Sequence, residues 1–207
     1  MTSQNEVQIK LTDLIAPSFY DLHWDIAEHK HTHYKLPGGR GSTKSSFVSV
    51  EIITGMMKDP NANAAVFRRV GNTLAESVYE QLLWAIDMLG VGHLWKASLS
   101  PLRLVYKKTG QRIVFRGCDD PNKSKSIKLR HGYFKYIWYE ERAEFEGDED
   151  ERKINQSLMR GGDKYIVFYS WNPPKSMNNW VNQDILDERD DTIVLHTDYR
   201  TVPGEWL

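Results

Sequence analysis

The chain has 207 residues, 40% of them hydrophobic, and 27 Lys and Arg against 28 Asp and Glu give a formal net charge of −1. That supply of apolar residues supports one sizeable core, no apolar run is long enough to cross a bilayer, and the near-neutral balance excludes a chain that holds polyanions by bulk charge alone. The single cysteine, Cys118, excludes an internal disulfide and fits a reducing compartment, and the polar start Met1-Thr2-Ser3-Gln4-Asn5-Glu6 carries no signal-peptide pattern, so a cytoplasmic location is expected.

In chain order, Leu14 to Tyr20 leads into a predicted helix with Ser18 as its N-cap, and its aromatic residues belong either beside a ligand or in the core. His31 to Leu36 alternates and is rich in β-formers, which predicts a short strand; His29, His31 and His33 then read as a strand face, since no further ligand cluster completes a metal site. The segment Gly38-Gly39-Arg40-Gly41-Ser42-Thr43-Lys44-Ser45-Ser46 follows, heading a predicted helix from Lys44 to Lys58 that stops near Asp59-Pro60. A strand, a glycine-rich turn and a helix in this order form a phosphate cradle. Glycines let the backbone N–H groups turn inward, the helix N-terminus favours an anion, Lys44 reaches the β- and γ-phosphates, and the Ser45 hydroxyl can ligate Mg²⁺. Thr43 stands where the strict pattern has a second glycine, a departure that is costly only if its φ is positive.

Beyond the cradle, a strand at Ala64 to Phe67 precedes Arg68-Arg69, and a helix from Thr73 to Leu89 follows with Leu74, Val78, Leu82, Leu83 and Ile86 on its apolar face. Arg103 to Tyr106 and Arg112 to Phe115, joined through Thr109-Gly110, read as a hairpin. Lys107, Lys108, Arg112, Arg116 and the stretch 123–131 gather positive charge, either as a solvated loop or as a contact for DNA phosphates. Phe134 to Tyr139 is a buried strand running into Glu140-Glu141. One carboxylate at such a tip can hold the Mg²⁺ shell and the next can activate water as general base, which assigns Glu140 to the metal and Glu141 to the water. Glu144 to Arg152 reads as a solvated connection into a helix near Ile154 to Met159 that ends at Gly161-Gly162. Tyr165 to Tyr169 is another buried strand, leaving through Ser170-Trp171-Asn172-Pro173-Pro174, and Ser170 and Asn172 can hydrogen-bond a water or a phosphate oxygen. The acids Asp187, Glu188, Asp190 and Asp191 read as a solvated turn, and Thr192 to His196 as a last strand of the sheet.

The alternation predicts an α/β fold of the P-loop NTPase class, three-layer α/β/α with a mostly parallel central sheet, of the type that uses a glutamate and places a strand between the phosphate loop and the acidic strand. The pieces GGRGSTKSS (38–46), VFRRVGNTLAESVYEQL (66–82), IVFRGCDD (113–120), KYIWYEERAEF (135–145) and YSWNPP (169–174) together resemble the ATPase half of the large terminase subunit of tailed bacteriophages, in particular the PBSX-like group. The resemblance spans nearly the whole chain. It implies an ATP- and Mg²⁺-dependent packaging motor acting on double-stranded DNA, assembled as a homo-oligomeric ring on the portal protein, with a small terminase subunit delivering the DNA and no membrane involved. It also implies that Arg40 senses or stabilises the γ-phosphate, that Arg68 and Arg69 face the nucleotide or neighbouring motor parts unless they are a solvated pair, and that Ser170 and Asn172 belong to a coupling motif. Family members carry a C-terminal nuclease, and this chain stops before one could begin, so a single motor domain over 1–207 without DNA cleavage is expected, from a shortened chain, a split gene or a decayed prophage. Two other readings stay open, a helicase-like P-loop motor and a non-enzymatic interaction module.

Overall fold

The structure, a computed structural model, describes residues 9–118 and 127–206. Met1 to Glu6, Asp119 and Asp120, Lys123 and Lys125 of the basic stretch, and Leu207 lie outside the described residues. The strands are β1 (His33–Pro37), β2 (Ala62–Arg68), β3 (Trp95–Leu99), β4 (Leu102–Tyr106), β5 (Arg112–Gly117), β6 (Tyr133–Glu140), β7 (Ile166–Trp171) and β8 (Thr192–Val194). They form one sheet in the order β3-β4-β5-β2-β6-β7-β1-β8. From β5 to β8 every neighbouring pair is parallel, and β3 and β4 are added antiparallel at one edge.

The helices are α1 (Tyr20–Glu28), α2 (Lys44–Lys58), α3 (Glu80–Met88), α4 (Glu149–Leu158) and α5 (Trp180–Asp184). Both sheet faces are covered, as buried parallel strands require. One core packs Phe19 and Ile26 with Phe47, Ile52, Leu82 and Ile86 against Tyr34, Leu36, Val66, Trp138 and Phe168. The other packs Ile154, Leu158 and Val181 against Phe67, Ile137, Tyr139, Val167, Tyr169 and Trp171. The alternate residues of β6 and β7 divide between the two cores, the period-two signature of a strand buried on both faces. Strand β7 separates β1 from β6, so one strand stands between the glycine-loop strand and the acidic strand, as expected from the sequence.

Several local expectations are corrected. The first turn at Pro17–Phe19 is 3₁₀ with Ala16 at its N-cap, so Ser18 caps nothing; Phe19 is fully buried and stacks on Phe47 with ring centres 4.4 Å apart, placing it in the core. Of the three histidines only His33 lies in a strand: His29 caps α1 in the left-handed conformation (φ 57°), and His31 bonds Asp25 through Nδ1. The helix expected from Thr73 begins with a π-helical turn, Ala75–Tyr79, before α3. The acidic connection is itself helical from Glu149, and Glu151 within it is buried.

The reason for that burial is Arg142. Its guanidinium, only 2% exposed, forms a two-pronged pair with Glu151 through Nε and Nη2 (2.8–3.1 Å) and a second pair, through Nη1, with Asp184. It also lies 4.4 Å from the ring centre of Tyr169 and 4.7 Å from that of Trp180. Burial opposes its charge, but Glu151 and Asp184 outweigh burial and raise its pKa. Asp184 in turn accepts from Lys35 Nζ at 2.8 Å, so one buried charge cluster ties β1, the turn after β6, α4 and α5.

His33 borders this cluster, with Nδ1 3.1 Å from the Tyr169 hydroxyl and Nε2 3.7 Å from Asp191. Burial lowers its pKa to about 4, against the pull of Asp191, with Arg189, Lys35 and Arg142 adding to the lowering. The unfolded chain therefore binds a proton that the native state refuses between about pH 6.5 and 4. Stability is expected to fall as pH drops through this window, and His33→Gln to flatten that dependence when urea midpoints are compared at steps of pH; equal slopes for the two proteins would remove His33 as the cause.

Candidate nucleotide site

Parallel pairing brings the motifs together. Leu36 pairs with Ser170 and Ser170 with Glu140, so the C-terminal ends of β1, β7 and β6 stand in line, with neighbouring strands about 4.8 Å apart. One residue past each end lie the loop from Gly38, then Asn172, then Glu141. The Gly38 N–H donates to the Trp171 carbonyl at 3.0 Å, which fixes the start of the loop to β7. A side chain at Gly38 is excluded, because its Cβ would fall 1.9 Å from Thr197 Oγ1. On the far side of the loop, Thr197 Oγ1 donates to the buried Ser42 Oγ at 3.1 Å.

Lys44, at the first turn of α2, folds back over this loop. Its Nζ donates to the carbonyls of Gly38 (3.0 Å) and Gly39 (3.3 Å) and to Asn172 Oδ1 (3.0 Å). The Asn172 amide then donates to Glu141 Oε1 at 3.5 Å, the long end of the hydrogen-bond range. A continuous polar chain thus runs from the loop lysine through the strand-exit asparagine to the second glutamate. Burial lowers the Lys44 pKa, while the negative charges of Glu141 and Glu140 oppose that shift.

Thr43 settles the question its sequence position raised. It occupies the left-handed region (φ 58°, ψ 12°) as the N-cap of α2, and its Oγ1 is buried without a hydrogen-bond partner. Gly41, also left-handed (φ 74°), supplies the other sharp bend. Arg40, Gly39 and Gly41 are exposed at the tip of the loop, and among the described residues no carboxylate pairs with Arg40. Ser45 and Ser46 are half-buried at the head of α2.

Glu140 sits at the end of β6 with 13% of its side chain exposed, 2.8 Å from Arg68 Nε, though the N–H is not aligned on the oxygen and Glu140 Oε2 has no hydrogen-bond donor. Burial pushes its pKa up to about 7, helped by Glu141 and Glu144 and opposed by Arg68 and Lys44. Arg68 Nη1 also donates to Thr73 Oγ1 and Ser77 Oγ, so it joins the end of β2 and the π-helical turn to the acidic strand tip. The neighbouring Arg69 points elsewhere, to the Cys118 carbonyl and Glu146. The consecutive arginines are thus distinguished by strand alternation: Phe67 pairs with Tyr139, which sets Arg68 beside Glu140. Ser45 and Glu140 line one depression with Ser77, Glu80, Gln81 and Trp84. Next to it, a cleft of about 320 Å³ opens between Leu14, Thr43, Ser46, Trp84, Met88 and Trp206. Ser170 does not join the polar chain: its buried hydroxyl accepts from Trp138 Nε1 at 2.8 Å.

Residues 30–207 match the family described as phage terminase large subunit. The chain belongs to that family. It is 46% identical over 180 residues to the large terminase subunit of Bacillus phage SPP1, covering 85% of this chain and 42% of that protein. It is 29% identical over 182 residues to the PBSX phage terminase large subunit of Bacillus subtilis (strain 168), covering 87% of this chain and 40% of that one. The chain thus spans about two fifths of the length of these curated relatives. In three dimensions it is similar to a mutant of the large terminase ATPase domain of Thermus phage P74-26, with a TM-score of 0.60 at 16% identity over 88% of this chain and 86% of that one. The resemblance read from the motifs is therefore to the right family, and the fold is that of the terminase ATPase domains.

The cleft residues Trp84 and Trp206 are neighbours of the site that the motifs did not single out, whereas Arg68 and Arg69 were both expected near the nucleotide or a neighbouring motor part and only Arg68 reaches the acidic strand tip. The signal for Arg68 was its place at a strand end, and only the register of β2 on β6 separates it from Arg69. The left-handed Thr43 supplies a direct check. A β-branched residue there costs about 1–2 kcal/mol relative to glycine. Thr43→Gly is expected to gain roughly 1 kcal/mol and raise the melting temperature, whereas Thr43→Ala keeps the backbone strain and gains nothing comparable; equal melting temperatures for the two variants would contradict the strained loop.

Proposed function

We propose that this chain is the ATP-hydrolysing motor domain of a large terminase subunit and that it drives DNA into a procapsid. The observation that carries the reading is the polar chain Lys44–Asn172–Glu141, which joins a phosphate-loop lysine to a strand-tip glutamate across the ends of three adjacent parallel strands. The terminal phosphate of ATP would lie over this chain, with the loop amides from Gly38 to Ser46 around the phosphates and the Arg40 guanidinium reaching in from the loop tip to neutralise charge on the γ-phosphate. The apolar cleft beside Thr43 and Ser46 suits the nucleoside.

Glu141 acts as general base, taking a proton from the water that attacks the γ-phosphate. Asn172 touches both Glu141 and Lys44, so it is placed to report the state of the phosphate to the segment Pro173-Pro174 beyond β7, the coupling role; Ser170 would support that role from inside the core through Trp138. The residues present fit Mg²⁺. Ser45 and Glu140 share one depression, and the buried Oε2 of Glu140 is a hard oxygen ligand that accepts no aligned hydrogen bond, its ion-pair neighbour being Arg68 Nε at 2.8 Å, which the ion would displace or share. When bound there, the ion would supply charge neutralisation for the β- and γ-phosphates.

Double-stranded DNA, a portal protein, a small terminase subunit and a ring of copies of this chain are the partners this function needs, in the cytoplasm of a bacterial host. Nuclease activity is not expected from the residues described. Glu141→Gln is expected to leave ATP binding within a few-fold of wild type while lowering steady-state phosphate release by about 10²–10⁴-fold, the range for loss of a general base. Lys44→Ala is expected instead to weaken binding of a fluorescent ATP analogue. Retained turnover in Glu141→Gln would remove the glutamate from the base role, and undiminished analogue binding in Lys44→Ala would remove the loop as the phosphate site.

A further inference from the structure

The antiparallel edge of the sheet carries a charge pattern that the nucleotide site does not use. Lys96 pairs with Val105 and Val105 with Arg112; Ser98 pairs with Arg103 and Arg103 with Val114. Cross-strand partners share a face, and residues two apart along a strand do too. Lys96, Arg103, Arg112 and Arg116 therefore stand on one face of β3, β4 and β5. The opposite face, with Trp95, Leu104, Tyr106, Ile113 and Phe115, is buried in the core under α2 and α3.

From Trp95 to Gly117 the sequence has six basic residues and no Asp or Glu, in a chain whose acids outnumber its bases. The contrast extends to pairing. Arg68, Arg69, Arg142, Arg152, Arg189 and Arg200 each meet a carboxylate. Among the described residues, no carboxylate pairs with Lys96, Arg103, Arg112 or Arg116, and Arg103 Nε is buried without any hydrogen-bond partner. Those arginines are neutralised within the molecule, whereas these four cations gather on one face with no acid among them, which suits an anionic partner.

We infer that the face formed by Lys96, Arg103, Arg112 and Arg116 is where the chain holds the phosphate backbone of duplex DNA. Identifying the polymer rests on the motor function proposed above; the charge pattern supplies the location. Four cations on a rigid sheet, with Arg112 and Arg116 about 13 Å apart along β5 at about 3.3 Å per residue, suit repeated phosphates rather than a single anion. Backbone contacts of this kind are independent of sequence, as a motor that moves along any DNA requires. The face is also wired to the hydrolytic end of the sheet: β5 pairs with β2, and β2 ends in the Arg68 that touches Glu140.

The test is the salt dependence of binding to a duplex of arbitrary sequence, followed by fluorescence anisotropy between about 50 and 200 mM salt. Each lost phosphate contact lowers the slope of log K against log salt by about 0.9. Combined Lys96→Gln, Arg112→Gln and Arg116→Gln is expected to cut the slope by roughly 2.7 and weaken binding at low salt, with ATP turnover in the absence of DNA unchanged. The exposed Lys96→Gln alone, which leaves the packing of the sheet intact, is expected to cut it by about 0.9. An unchanged slope in both variants overturns the assignment, as does a wild-type chain that fails to bind the duplex. A change in self-association, seen by sedimentation, with duplex binding intact overturns it in favour of contact with a second copy. None of these outcomes bears on ATP turnover, which tests the motor function separately.

Discussion

A buried ammonium ion governs the arrangement of this domain. Lys44 is largely withdrawn from water, and a lone charge in that position is unfavourable. Two loop carbonyls, an asparagine oxygen and the field of two glutamates answer that cost, and each comes from a different part of the chain. Satisfying the lysine therefore requires the ends of β1, β7 and β6 to lie side by side. The parallel register does this with no long side-chain reach: the three strands end in line, and the loop, Asn172 and Glu141 follow one residue later. The electrostatic requirement of one side chain and the topology of the sheet impose the same geometry.

The opposite face holds this geometry from behind. Arg142, next in sequence to Glu141, is buried with two carboxylates against it and aromatic rings on its flanks. Removing one partner of such a buried pair costs about 3–5 kcal/mol, because the other charge is left uncompensated. The residue before it, Glu141, has a left-handed backbone (φ 52°) and caps a short 3₁₀ turn. A conformation that is rare for a glutamate is thus clamped on its C-terminal side by a salt-bridged arginine. Because Asp184 also binds Lys35, the same cluster reaches β1, below the Gly38–Ser46 loop.

Much of this was legible in the sequence, and what escaped has a common physical character. The helix from Lys44 to Lys58, the strand before Glu140-Glu141 and the hairpin around Gly110 carry their own local signals: a glycine turn ahead of an apolar stretch, an aromatic run ended by acids, a Thr-Gly bend. The family motifs marked the loop, the paired glutamates and Asn172. What sequence could not show were pairings between distant residues. Glu151 sits in an acidic run that looks solvated, and only Arg142 explains its burial. Arg68 and Arg69 are identical in type, and only the register of β2 on β6 distinguishes them. Ser18 has the composition of a cap, but Pro17 had already started a 3₁₀ turn with Ala16 ahead of it. The edge strand β3, with exposed Lys96 and Leu99, lacks a buried face of its own in sequence and is defined by pairing with β4.

The central claim is that the loop lysine, Asn172 and Glu141 surround the terminal phosphate of a single nucleotide. A crystal structure of the chain with Mg²⁺, ADP and a fluoride mimic of the transferred phosphate tests it most directly. The account predicts the mimic within hydrogen-bond distance of both Lys44 Nζ and Asn172, with a water between it and Glu141. A nucleotide bound away from the Gly38–Ser46 loop, or a mimic with Glu141 turned out of reach of its water, would contradict it.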